Sequence, residues 1–217
     1  MGNFIPLERI CEEFDFILLD TSALINFLEA KSSTSLKLKD RISCKKSEID
    51  SCIFFNKYLK QKGMFYLTER VSEEFECPKN KTFEEVLPYS NRSKSSKKER
   101  VYFGKICSAM KERKKLLKNF KKENKIINLD IFENYTYNQI YRRNKPLKKI
   151  KRLTETDYDL LITAAVFSVS RGNTSLISND FSILYAYQDL IKNERFNSSK
   201  YGFFIRKKEN TFSRGIV

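Results

Sequence analysis

The apolar run Phe14-Asp15-Phe16-Ile17-Leu18-Leu19 stops at Asp20, and Thr21 to Leu28 then takes up helical spacing. That stretch reads as a buried strand turning directly into a helix, which limits the chain to folds with a strand at the core. The alternation continues. Residues 31–47 are rich in Ser and Lys and read as a loop, and a helix is expected near Glu48 to Lys62, punctuated by Gly63. Met64-Phe65-Tyr66-Leu67 looks like a second strand, and Thr68 is a good N-cap for a helix to about Glu76, stopped by Cys77-Pro78. Further on, a helix over Thr154 to Ser170, a strand over Thr174 to Ser178, a helix opened by Asp180 and a strand within Tyr201 to Ile205 follow. Strands alternating with helices predict an α/β fold of three layers, with a central parallel sheet covered by helices on both faces.

Charge divides the chain. Of its 217 residues, 42 are Lys or Arg and 27 Asp or Glu, a net +15. Residues Arg92 to Arg152 alone hold 21 basic and 5 acidic residues, +16, which leaves the remainder at −1. A polar start at Asn91 leads into a Lys-rich helical pattern to about Asn124, with Val101, Ile106, Met110, Leu117 and Phe120 on one side. A shorter helical piece spans Leu129 to Arg143, ahead of Pro146 and the cluster 148–152. The block therefore reads as a basic helical insertion, 92–152, in a single domain whose core lies at about 14–77 and 153–205. Its charge points to a polyanion, nucleic acid ahead of membrane.

The chain has no His, which removes Ser/His/Asp and Cys/His relays and His-bound zinc, so acid-base or metal chemistry must run on carboxylates. Five cysteines without close spacing read as ordinary thiols of a reducing compartment. The start lacks a secretory pattern, Gly2 lacks the Ser or Thr at position 6 of a myristoylation signal, and the apolar stretch Phe16 to Leu28 is too short to span a bilayer. A cytoplasmic protein without a membrane partner is the expectation.

Ligands of an open parallel sheet bind outside the carboxyl ends of its strands. Asp20 and Asp180 stand at such ends. Either alone fits a helix cap or turn residue, but together they open onto one sheet edge. Glu74 lies three residues after Val71 and shares its buried face, while Glu73 lies four after Glu69 on the solvent side. On the helix Thr154 to Ser170, Asp157 falls near the centre of the stripe Leu160, Leu161, Ala164, Ala165 and Ser168, and Asp159 on another side with Ile162 and Val166. Thr154-x-x-Asp157 also fits a capping box, and both roles can hold at once. Converging carboxylates without His suit Mg²⁺ or Mn²⁺. Their mutual repulsion raises the pKa of at least one acid. The chemistry that follows is metal-assisted phosphodiester hydrolysis.

Four segments, Leu18-Leu19-Asp20-Thr21-Ser22-Ala23-Leu24, Val71-Ser72-Glu73-Glu74-Phe75, Leu153-Thr154-Glu155-Thr156-Asp157-Tyr158-Asp159-Leu160-Leu161 and Leu176-Ile177-Ser178-Asn179-Asp180-Phe181, resemble in order the acidic motifs of PIN-domain nucleases. The resemblance covers about residues 14–77 and 153–205. It implies a PIN fold and an Mg²⁺- or Mn²⁺-dependent endonuclease acting mostly on RNA, with Asp20, Glu74, Asp157 and Asp180 holding the metal. Ser178 matches a supporting hydroxyl, and Thr21 and Ser22 match the polar pair after the first acid. Leu-Thr-Glu-Thr-Asp157 looks like the ribosome-processing branch and Asp159-Leu-Leu-Ile-Thr-Ala-Ala like the toxin branch, so Asp159 is the second choice for the third acid. The zinc ribbon of the ribosome-processing nucleases is missing.

In the basic block, Lys111, Arg113, Lys114, Lys115, Lys118, Lys121 and Lys122 are too dense for one helix face. With Arg142, Arg143, Lys148, Lys149, Lys151 and Arg152 they form either a solvated surface or an arm that draws single-stranded or structured RNA toward an acidic cleft. Tyr135, Tyr137 and Tyr141 beside these arginines suit base stacking or core packing equally. The alternatives to a ribonuclease are a catalytically silent RNA-binding scaffold, a toxin held by an antitoxin, and a DNA nuclease. Candidate protein partners are a second copy of the chain, an antitoxin and a ribonucleoprotein.

Overall fold

The computed structural model describes residue 12 and residues 14–24, 38–62, 64–76, 96–178, 180–194 and 203–207. Residues 31–37, the Cys77-Pro78 stop, Asn91 to Ser95, Tyr201 and Gly202 lie outside these. The elements run β1 (Phe16–Leu19), α1 (Thr21–Leu24), α2 (Leu38–Lys62), β2 (Phe65–Tyr66), α3 (Glu69–Glu76), α4 (Lys97–Lys122), α5 (Ile131–Ile150), α6 (Glu155–Ser170), β3 (Thr174–Ser178), α7 (Phe181–Glu194) and β4 (Phe203–Lys207). The four strands form one parallel sheet in the order β2-β1-β3-β4.

Both faces of the sheet are covered. Every residue of β3 is buried, although successive side chains point to opposite faces. Ile17 pairs with Phe65, and the Phe65 ring meets Phe55 of α2 edge-on at 5.4 Å. On the other face, Phe16 meets Phe167 of α6 edge-on at 5.7 Å. The expected α/β architecture with helices on both faces is therefore present.

Local chemistry sets the helix ends. Ser96, Asp130 and Thr154 each accept from the backbone N–H three residues on, while the acid there, Glu99, Glu133 or Asp157, bonds back to the cap. The Thr68 hydroxyl accepts from Val71 N at 3.3 Å, as its cap position predicts. α4 and α5 both end in a Schellman motif. Lys125 N donates to Phe120 O at 2.9 Å and Leu153 N to Lys148 O at 3.0 Å, with Asn124 (φ 53°) and Arg152 (φ 54°) in the left-handed region between.

Three expectations change. The helix expected near Glu48 begins ten residues earlier, at Leu38, within the stretch read as a loop. Its extra turns carry Lys45, which is buried beside Glu48. Pro146 does not end a helix but lies inside α5. Lacking an N–H, it cannot make the i→i−4 bond to the carbonyl of exposed Arg142, where water can take its place. On α4, Val101 and Met110 face solvent, and the buried side is Tyr102, Ile106, Ala109, Leu116, Leu117 and Phe120.

The basic block does not stand apart from the core. α4 packs on α2 and α3, and α5 on α6 and α7. Leu116, Leu117, Phe120, Ile140 and Leu147 belong to the same apolar cluster as Ile17, Leu18 and Leu19 of β1. The backbone after α4 even extends the sheet edge: Leu67 N donates to Lys125 O at 3.0 Å and Ile127 N to Leu67 O at 2.8 Å. Glu133, one of the block's few acids, is buried and takes a two-pronged ion pair from Arg171 together with the Ser170 hydroxyl at 2.9 Å.

Candidate active site

The strand order places a topological switch point between β1 and β3, because the chain leaves β1 toward β2 on one side and β3 toward β4 on the other. Asp20 stands there, directly after β1. Its backbone N–H extends the ladder to Ile177 O at 3.0 Å, and its carbonyl accepts from Ala23 N at 3.0 Å to start α1. The backbone is thus fixed on both sides, and the side chain, only 3% exposed, is held in the crevice.

Two hydroxyls grip that carboxylate. Ser178 Oγ, at the end of β3, donates to Asp20 Oδ2 at 2.7 Å, and Ser22 Oγ donates to the same oxygen. The two hydroxyls lie 3.3 Å apart. Both bonds fall on Oδ2, so Oδ1 takes part in neither. Burial pushes the Asp20 carboxyl up to about 6 against the pull of the two serines, and the charges of Asp157 and Glu74 add to the rise.

Glu74 is anchored from two elements. Thr21 Oγ1 of α1 donates to its Oε2 at 3.1 Å, and Thr156 of α6 also donates to it. Partial burial, with the charge of Asp157 second, raises its carboxyl above the ordinary range. It does not share the buried face of α3 as its spacing from Val71 predicts. That face is Val71, Ser72 and Phe75, and Glu74 flanks it, exposed to solvent.

Asp157 sits in the first turn of α6, half-buried. Its Oδ2 accepts from Thr154 N at 3.0 Å, and its own N–H bonds Thr154 Oγ1 at 3.1 Å. Cap and crevice position coincide, and its charge acts on both Asp20 and Glu74. α6 is buried almost all round rather than along one stripe. Asp159 points elsewhere: Tyr137 of α5 donates to its Oδ1 at 2.7 Å and Arg70 of α3 lies 3.9 Å away. Burial and this carboxylate together push the Tyr137 phenol far up. Asp180 joins the group through its backbone, since its N–H donates to Ser178 Oγ at 2.9 Å while its Oδ1 caps α7 through Ser182 N at 2.7 Å. The charges acting on Asp20 are those of Asp157 and Glu74.

Spacing in the sequence did not reveal Thr156, whose only signal is its place beside Asp157 at the start of a capped helix. The donors are all hard oxygens, and the acids repel one another, which is the electrostatic setting a divalent cation offsets. Among the described residues, no three His, Cys, Asp or Glu side chains converge closely enough to ligate one ion together. A hard divalent cation bound here would be held through one or two of these carboxylates, with water completing the shell.

The basic residues divide sharply. Arg113 is turned inward, paired with Glu48 and lying over the Phe75 ring at 5.8 Å, so it braces α4 against α2 and α3. Lys121 pairs with Glu76 at 2.8 Å, Lys151 with Asp189 at 2.7 Å, and Lys148 with Glu155. Lys114, Lys118 and Lys122 form an exposed row along α4, with Lys115 beside it 3.9 Å from Glu112. Arg142, Arg143, Lys149 and Arg152 are exposed too. Lys148 to Arg152 end α5 next to the first turn of α6, which carries Asp157. Tyr137 and Tyr141 stack on each other with centroids 5.7 Å apart, and Tyr141 packs on buried Tyr158, so both serve the α5–α6 interface. Tyr135 is exposed.

Compared with family models, with curated proteins and with solved structures, the chain matches none. Among the described residues no helix is long and apolar enough to cross a membrane.

Proposed function

We propose that the chain is a divalent-metal-dependent endoribonuclease with a PIN-like fold, cutting RNA phosphodiester bonds at the crevice beyond β1 and β3. The observation that carries this reading is Asp20, buried at the switch point of a parallel sheet and pushed up to about 6 by that burial, with the charges of Asp157 and Glu74 adding to the rise. Acids brought together against their own repulsion are a signature of a site rather than of a scaffold.

Asp20 and Asp157 are the first holders of Mg²⁺ or Mn²⁺, with Glu74 and Asp180 at the margin. The ion supplies Lewis-acid stabilisation of the charge that develops on the phosphoryl oxygens. Ser22 and Ser178 keep Asp20 oriented, and Thr21 and Thr156 do the same for Glu74. The exposed cations Lys149 and Arg152, beside the first turn of α6, attract the phosphodiester backbone that the carboxylates alone repel. Incubation of single-stranded and structured RNA with Mn²⁺ tests the reading beside an Asp20→Asn variant. Cleavage is expected from the parent chain alone, and equal cleavage by both overturns the site.

A further inference from the structure

A cleft of about 400 Å³ lies between β2, the connection from α4 to α5, and the end of α6. We propose that it binds a nucleoside monophosphate unit, carried free or within an RNA strand. It is separate from the carboxylates: Arg171 follows the last turn of α6 and Asp157 sits in its first, about 20 Å apart along the axis at 1.5 Å per residue.

The walls supply three different chemistries. Ile126 and the Tyr66 ring are apolar, Asn124 and Asn128 are amides, and Lys121 and Arg171 are cations. The fold builds this combination deliberately. The Schellman turn puts Asn124 in the left-handed region, which Asn tolerates better than most residues, and the following bridge from Ile126 to Leu67 locks the connection beside β2. Lys125 Nζ lies 4.5 Å over the Tyr66 ring and donates to its hydroxyl at 3.0 Å, which fixes that wall and adds a third positive charge.

Both wall cations can accept a second anion. Lys121 and Glu76 are each about half exposed, and such a pair is weak enough to exchange for a phosphate. Arg171 spends two of its five N–H donors on Glu133 and is held over the Phe167 ring at 4.2 Å, so its remaining donors are presented in a fixed orientation. A bare anion leaves the amides and the isoleucine unused, and an apolar molecule makes no use of the cations. A nucleotide uses all three: phosphate on Lys121 and Arg171, base edge on the two amides, base face on Ile126. Each Asn amide carries both a donor and an acceptor, which matches the mixed edges of bases.

The test is a titration of the full chain, without divalent metal, followed through the side-chain amide NMR signals of Asn124 and Asn128. The ligands are AMP, UMP, inorganic phosphate and a short oligoribonucleotide. Both amides are expected to shift with the nucleotides, and Kd is expected to rise at least fivefold in Lys121→Glu and in Asn128→Ala, two surface changes that leave the core intact. Equal binding of AMP and the oligoribonucleotide identifies a free nucleotide, and binding of the oligoribonucleotide alone identifies a strand; both support the site. Asp20→Asn is expected to bind unchanged, so this result stands whatever the carboxylates do. No shift with any nucleotide, or phosphate binding as tightly as AMP, overturns the proposal.

Discussion

The carboxylates beyond β1 and β3 and the lysines of α4 sit in opposite surroundings. Asp20 is gripped by two serines and raised by burial, with its acidic neighbours adding to the rise, whereas Lys114, Lys118 and Lys122 lie in solvent on one helical row. The acids are few and mutually coupled. The lysines are many and each is screened by water. Arg113 and Glu133 show how little the charge count says by itself. Both belong to the +16 block, yet each is withdrawn into an ion pair that ties the block to the rest of the fold. Burial, not sign or density, separates a charge that positions from one that attracts.

The sharpest test of this contrast is Asp20→Asn. On the proposed reading, cleavage is expected to fall about a thousandfold, since a cation that loses one of its carboxylate holders forfeits several kcal/mol of transition-state stabilisation. Stability moves the other way. The folded carboxyl, raised to about 6 from 3.8, binds protons more readily than the unfolded one, so this group lowers stability as pH rises from 4 to 6 and the full cost persists above. Asp20→Asn is therefore expected to gain up to about 3 kcal/mol at pH 7 and almost nothing below pH 4, read by urea denaturation at both. Mg²⁺ is expected to raise the parent's melting temperature above pH 6 and leave the variant's unchanged. A variant destabilised at pH 7 removes the idea of a strained acid.

Arg171→Ala comes next. It leaves Glu133 buried without its partner, and a loss of about 3 kcal/mol is expected in the same denaturation assay. A loss below about 1 kcal/mol, the range of surface pairs, places Glu133 in water and leaves the apolar contacts alone to tie the block to the core. A triple change, Lys114, Lys118 and Lys122 to Ala, is expected to leave stability within about 0.5 kcal/mol of the parent. On the proposed reading it is expected to weaken RNA binding similarly across sequences and to flatten the salt dependence by about 0.7 per phosphate contact removed. The smallest effect is that of Arg152→Gly. Relief of the left-handed backbone is offset by entropy gained in the unfolded chain, so a change within about 1 kcal/mol is expected, stabilising if strain dominates.

Where a signal is local, the chain announces its structure. Asp20 at the end of an apolar run, Thr68 before α3 and Thr154 three residues before Asp157 each fix an element boundary with atoms only a few residues apart. Leu38 to Ser47 carries no such mark. Its turns are tied in through buried Lys45, whose partner Glu48 also meets Arg113 of α4, 65 residues away. The outward turn of Val101 and Met110, and the inward turn of Arg113 and Glu133, follow from which helix lies alongside. Helical periodicity alone does not supply that.

Composition and short-range spacing were enough to set the alternation of strands and helices and the lack of any His-based site. The sharing of one Asp20 oxygen by Ser22 and Ser178, the pairing of Asp159 with Tyr137 and the place of the basic block in the core come from the folded arrangement. The reason is physical: a pKa shift, a buried ion pair and a shared apolar cluster are properties of distance between atoms, and residues 65 or 158 apart acquire that distance only when the sheet and its helices close.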